Sequence, residues 1–129
     1  MVVTRLYFYL GSGGHTTYFY MKWHHISSAN DIEAIIDRSR VIPCLILKHS
    51  TRCPISTMAK SRVEMSWDFE EDQVEAYYLD LIAYRDVSNL IADEFGVRHE
   101  SPQALLIEDG KCVKHASHLN IRVAEMVVA

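Results

Sequence analysis

The sequence predicts an α/β domain whose central mixed sheet of about four strands is flanked by helices and ends in a C-terminal antiparallel hairpin. Three observations carry this expectation. Strand-like runs at residues 41–49, 74–83 and 103–107 alternate with segments whose apolar residues recur at helical spacing. Alternation of this kind implies parallel pairing in the first part of the sheet, because each helix returns the chain to the end where the previous strand began. Further on, Asp109-Gly110 separates two strand-like runs and signals a tight hairpin. Between the first strand and the next helix lies Cys53-Pro54, a proline suited to the first helical position.

Composition bounds the reading. A chain of 129 residues, 49% hydrophobic and 23% charged, can bury one core without metals or disulfide staples. A formal net charge of −4 and the lack of a basic run interleaved with aromatics set nucleic acid aside. No run reaches the roughly 20 apolar residues of a membrane span, and residues 6–10 are short for the core of a signal peptide. Three irregularly spaced cysteines make no disulfide framework, so a reducing, cytoplasmic location is expected.

In chain order, residues 1–20 form an extension, either a hairpin turning at Gly11-Ser12-Gly13-Gly14 or a poorly ordered appendage. The extension could pair across a two-fold axis and make a homodimer. The domain proper is expected over residues 21–129, starting at Met21-Lys22-Trp23 with a core complete without what precedes it. A helix signal follows, with Ser28 or Asn30 as cap, Asp31 and Glu33 in the first turn and Ile32, Ile35 and Ile36 on one face. The buried strand over 41–49 leads through Cys53 to a helix over 54–67 with Ile55, Met58, Ala59 and Val63 at helical spacing. After an acidic loop comes the strand over 74–83. A helix opening at Asp86 or Ser88 stops at Gly96. The hairpin pairs residues 103–107 with 112–116, and a short helix over 120–127 ends the chain. This order matches a thioredoxin-like fold, in which Pro102, at the start of a strand, takes the place of a cis proline facing the reactive cysteine.

Cys53 is the candidate nucleophile. At the helix N-cap its sulfur faces unpaired backbone N–H groups, with Arg52 adjacent, so the thiolate is expected to be favoured. The fourth residue of the window is Ser56, whose hydroxyl can donate to a thiolate but cannot resolve a mixed disulfide, and the inference is a one-cysteine mechanism. Cys44, nine residues earlier along mostly extended chain, is expected about 20–30 Å away. Cys112 is expected near the Cys44 end of the sheet, so both read as structural. The hairpin should bring Ala116, Ser117 and His118 beside Pro102, where their backbone N–H and polar groups could hold carboxylates, and Lys48 could pair with one. His115 and His118 can equally cap or pack, and Lys48 can equally be a solvated strand-end charge. No spacing organises the seven histidines into a metal set.

Three segments carry a specific resemblance: Lys48-His49-Ser50-Thr51-Arg52-Cys53-Pro54-Ile55-Ser56, His99-Glu100-Ser101-Pro102-Gln103 and His115-Ala116-Ser117-His118. In this order the chain, from about Met21 to Val128, resembles the bacillithiol-system thioredoxin-like proteins of YtxJ type, the monothiol bacilliredoxins. The resemblance implies a thiol-disulfide oxidoreductase acting on S-bacillithiolated proteins, with Cys53, Ser56 and Pro102 catalytic. Substrate-binding residues would be Lys48, Arg52, Pro54, Ser101, Ala116, Ser117 and His118. No permanently bound cofactor or metal is expected. Bacillithiol would be the thiol co-substrate, and a second thiol or redoxin would regenerate Cys53. Two other readings share the one-cysteine site: a non-enzymatic binding module or redox sensor with Cys53 as modifiable anchor, and a glutaredoxin-like protein using glutathione or delivering a metal cluster.

Overall fold

A computed structural model describes the backbone of residues 2–8 and 16–20 and all atoms of residues 21–127. Its strands are β1 (Val2–Phe8), β2 (Thr16–His25), β3 (Cys44–His49), β4 (Glu75–Asp80), β5 (Gln103–Glu108) and β6 (Lys111–Ser117). The helices are α1 (Ala29–Arg38), α2 (Pro54–Ser66), α3 (Arg85–Phe95) and α4 (Val123–Met126), with a 3-10 turn at His118–Asn120. In the sheet the order is β1-β2-β4-β3-β5-β6. β3 is central: parallel to β4 and antiparallel to β5, it has every residue buried.

Strand alternation divides the core into two layers. Leu45 and Leu47 face α2 and α4, packing with Ala59, Val63, Val123 and Met126. Cys44 and Ile46 face α1 and α3, among Ile32, Ile35, Val87 and Ile91. The local signals explain the boundaries. Asp31 accepts the backbone N–H groups of Ser27 and Ser28 at 2.8 and 3.1 Å, closing a capping box that starts α1. Gly96 ends α3 in the left-handed conformation, φ +65°. Asp109 and Gly110 both take positive φ in the tight hairpin turn.

The structure departs from the sequence-based expectation at several points. β2 continues past residue 20 to His25 and pairs in parallel with β4 through Trp23, His24 and His25. This adds a fifth strand to the expected four. Met21 and Trp23 are buried in the core, so the domain uses the segment read as its bare beginning. β1 pairs antiparallel with residues 16–22, while the glycine turn expected at 11–14 lies outside the described residues. β3 starts at Cys44, leaving Val41 exposed; Pro43, with no N–H to give, contributes only its carbonyl to Glu75. The inward stripe of α2 is Ser56, Ala59 and Val63, and Ile55 and Met58 point to solvent. β4 stops at Asp80, whose carboxylate caps the N–H groups of Ile82 and Ala83.

Candidate active site

Cys53 occupies the N-cap of α2, half-buried, with Pro54 at the first helical position. A short hydrogen-bonded turn delivers it from β3. Cys53 N–H donates to Ser50 O at 3.2 Å, and the Cys53 carbonyl accepts Thr57 N–H at 3.0 Å and the Thr57 hydroxyl at 3.3 Å. Pro54 and Arg52 are exposed beside the sulfur.

Ser56 has a different role from the expected one. Its hydroxyl oxygen accepts Ser50 N–H at 2.9 Å and shares a 2.7 Å hydrogen bond with His49 Nδ1. The side chain is fully buried, so these bonds hold the turn from beneath, and Cys53 is not among its hydrogen-bond partners. His49 is itself buried at the end of β3, 5.5 Å from the Tyr78 ring. Burial pushes its imidazole pKa down.

The β5 register brings the second half of the site alongside. Lys48 pairs with Gln103, and Gln103 pairs with Ser117, so the Ser101-Pro102 bond arrives beside the end of β3. That peptide bond is cis. Pro102 is buried and its carbonyl accepts His118 N–H at 3.0 Å. Ala116 pairs with Ala104, one step further along. Glu100 sits here too, its carboxyl held below the usual range first by the Ser117 hydroxyl, then by His118, Arg98 and His115.

The structure corrects Lys48, read as a charge open to a bound carboxylate or to solvent at the strand end: it is fully buried. On the face of the sheet opposite α2, its ammonium donates to Ser88 O at 3.0 Å and meets His99 Nδ1 at 3.4 Å. Desolvation brings its pKa down to about 8. The other sulfurs lie far from Cys53 along the strands. Cys44 and Cys112 are both register partners of Ile107. Burial pushes the Cys44 thiol up to about 12, and raises that of Cys112 as well. Among the described residues no three His, Cys, Asp or Glu side chains gather into a metal-holding set, and no helix is long and apolar enough to cross a membrane.

Residues to which sequence reasoning gave no role of their own are His49 and His99, both weighed only as members of a scattered histidine set, and Thr57 and Lys60. For His49 the signal was available: in a strand, neighbours of Lys48 must point to the other face.

Comparison with known proteins places this geometry. The family profile described as monothiol bacilliredoxin BrxC matches residues 24–126. A thioredoxin-fold protein described as a candidate oxidoreductase is 34% identical with a TM-score of 0.69, over 79% of this chain and 88% of its own. A mutant thioredoxin from Halobacterium salinarum NRC-1 aligns at 16% identity and TM-score 0.62, covering 81% of this chain and 85% of its own. Fasciola hepatica thioredoxin aligns at 21% identity and TM-score 0.58, covering 74% and 86%. At these lower identities the two thioredoxins speak for the fold alone, and the fold is thioredoxin-like.

Proposed function

Because the chain belongs to the monothiol bacilliredoxin family, and so has a thiol redox function, we propose that Cys53 alone carries it, exchanging mixed disulfides between proteins and bacillithiol. The observation that supports this most is the distribution of sulfur. Cys53 stands at a half-open helix N-terminus, while Cys44 and Cys112 lie on either side of Ile107 at the other end of the strands.

The step is a balanced exchange. Cys53 thiolate attacks the bacillithiol sulfur of an S-bacillithiolated protein, an S–S bond forms to Cys53, and the protein sulfur leaves as a thiolate. A second thiol, small or from a redoxin, then attacks the Cys53 mixed disulfide and frees Cys53, leaving the oxidation in a new disulfide. Pro102 and Ser101 flank the incoming disulfide, Pro54 and Arg52 form the exposed rim, and the Ala116, Ser117 and His118 segment borders the protein substrate. Ser56 serves by fixing the turn. A cytoplasmic setting, where such thiols are kept reduced, suits this chemistry.

The test is turnover of an S-bacillithiolated model protein with a regenerating thiol present. Cys53→Ala should lose at least 1000-fold in rate, whereas Cys44→Ala and Cys112→Ala should remain within about threefold. A wild-type protein that takes up one bacillithiol at Cys53 but never turns over would replace this reading with the sensor.

A further inference from the structure

A groove of about 360 Å³ lies along α2 starting one turn beyond Cys53, at the carboxyl ends of β2, β4 and β3 and so on the side of β3 away from β5 and Pro102. Its walls are His25, His49 and Tyr78 from the strands and Thr57, Lys60 and Ser61 from α2. In sheets with parallel strands this is the end where ligands bind, and the volume falls at the small end of the range for small-molecule sites.

Position ties the groove to the reacting sulfur. Thr57 stands one turn after Cys53 and is hydrogen-bonded to its carbonyl. At 1.5 Å rise per residue, Thr57 to Ser61 span roughly 6–12 Å along the helix from Cys53. A group disulfide-bonded to Cys53 reaches that far through a few covalent bonds. The lining also has a defined chemistry: one ammonium, two imidazoles, two hydroxyls and a phenol ring, with no carboxylate among them.

The acids nearby are already engaged. Glu64 accepts from Trp23 Nε1 and is ion-paired with Lys60, so a bound carboxylate shares the Lys60 ammonium with Glu64, and Asp80 accepts the N–H groups of Ile82 and Ala83. Lys60 is held in place from below, its ammonium 5.6 and 5.5 Å from the Trp23 and Tyr78 ring centroids. The other flank of Cys53 is less suited to an anion, since Ser117 and His118 already face the Glu100 carboxylate.

We propose that this groove is the subsite for the carboxylate-bearing part of the small thiol while it is disulfide-bonded to Cys53, a proposal that rests on the exchange reading above. The protein substrate then occupies the Pro102 side and the small thiol the α2 side. The attack is thereby directed to the small thiol's sulfur, leaving the protein sulfur as leaving group.

The experiment measures the rate at which the reduced full chain reacts with two disulfides, bacillithiol disulfide, which bears carboxylates, and neutral 2-hydroxyethyl disulfide. The readout is the ratio of the two rates, so differences in folding yield or in the sulfur itself cancel. Lys60→Gln removes the ammonium, and Ser61→Phe fills the groove from an exposed position. Each should lower the wild-type ratio about tenfold. Lys114→Gln, an exposed cation on β6, should leave it unchanged. An unchanged ratio in both groove variants, or an equal fall in Lys114→Gln, would overturn the subsite while leaving turnover intact. A wild-type chain that does not react with bacillithiol disulfide at all would overturn the exchange reading and the subsite with it.

Discussion

The two ends of β3 each present a sulfur, and they treat it in opposite ways. At the start, Cys44 follows Pro43 directly into the centre of the sheet, is fully buried and donates a weak bond to Ile42 O at 3.4 Å. At the finish, the chain leaves the sheet through a four-residue turn, and Cys53 emerges half-open at the head of α2. The same strand thus encloses one cysteine in the core and leads the other to the open head of a helix. The difference lies in what surrounds each sulfur: packed strands and helices on one side, the open first turn of a helix on the other. The finish also divides its support between the faces of the sheet. Lys48 points under α3 and secures the segment that carries Pro102, whereas His49 points under α2 and secures the Cys53 turn.

The largest expected effect tests the contrast between the sulfurs. With iodoacetamide at pH 7.5, Cys53 should be modified at least 100-fold faster than Cys44, as read by peptide mass spectrometry. Burial and the raised thiol pKa both protect Cys44. Comparable rates would erase the distinction between the two ends.

Next comes Lys48. Truncation by Lys48→Ala should cost about 2–4 kcal/mol in denaturant unfolding, through a buried cavity and the loss of the bond to Ser88 O. The shape-matched Lys48→Met isolates the charge. In the folded chain the ammonium loses its proton near pH 8, against an ordinary value of 10.5. Between these values the unfolded chain binds more protons, so stability rises with pH. Wild type should therefore gain on Lys48→Met by at most roughly 3 kcal/mol between pH 8 and 10.5. A difference that stays flat across that window would mean that the ammonium is hydrated.

The smallest effect sharpens the division between the faces. Ser56→Ala strands Ser50 N–H and His49 Nδ1 together, and should cost about 1–3 kcal/mol. It should also change the Cys53 alkylation rate, because the turn that presents the sulfur loosens. In Lys48→Met the turn's hydrogen bonds are retained, so the alkylation rate should move less.

Much of this was legible in the residues because the deciding signals were local. Pro54 after Cys53, Gly96 after α3 and Asp109-Gly110 in the hairpin each fix backbone geometry within a few positions. The hairpin register placed Ser117 beside Pro102 and Cys112 at the Cys44 end. What escaped depended on contacts distant in sequence. Residues 21–25 alternate Met, Lys, Trp, His, His, too few positions to announce a strand without β4 beside them. Lys48 reads from sequence as an accessible charge, free for a carboxylate or for water, because a lysine at a strand end usually is; α3 and the His99 segment, some 40 and 51 residues later, hold its ammonium instead. Ser56 was read by its spacing from Cys53, which fixes its place on the helix but not which neighbour wins its hydroxyl.

The contrast among the three sulfurs turns the whole chain into a two-level gauge. Cys44 is closed in the core, and the Cys112 thiol, half-buried like Cys53, is held protonated by a pKa raised through desolvation and donates to Lys114 O at 3.2 Å beside the same Ile107. Under exchange conditions intact protein should therefore weigh either its reduced mass or that mass plus one small thiol, and nothing between or beyond. Weighing the native protein then identifies which thiol a cell supplies, and the relative heights of the two peaks give the fraction charged without any tag or dye.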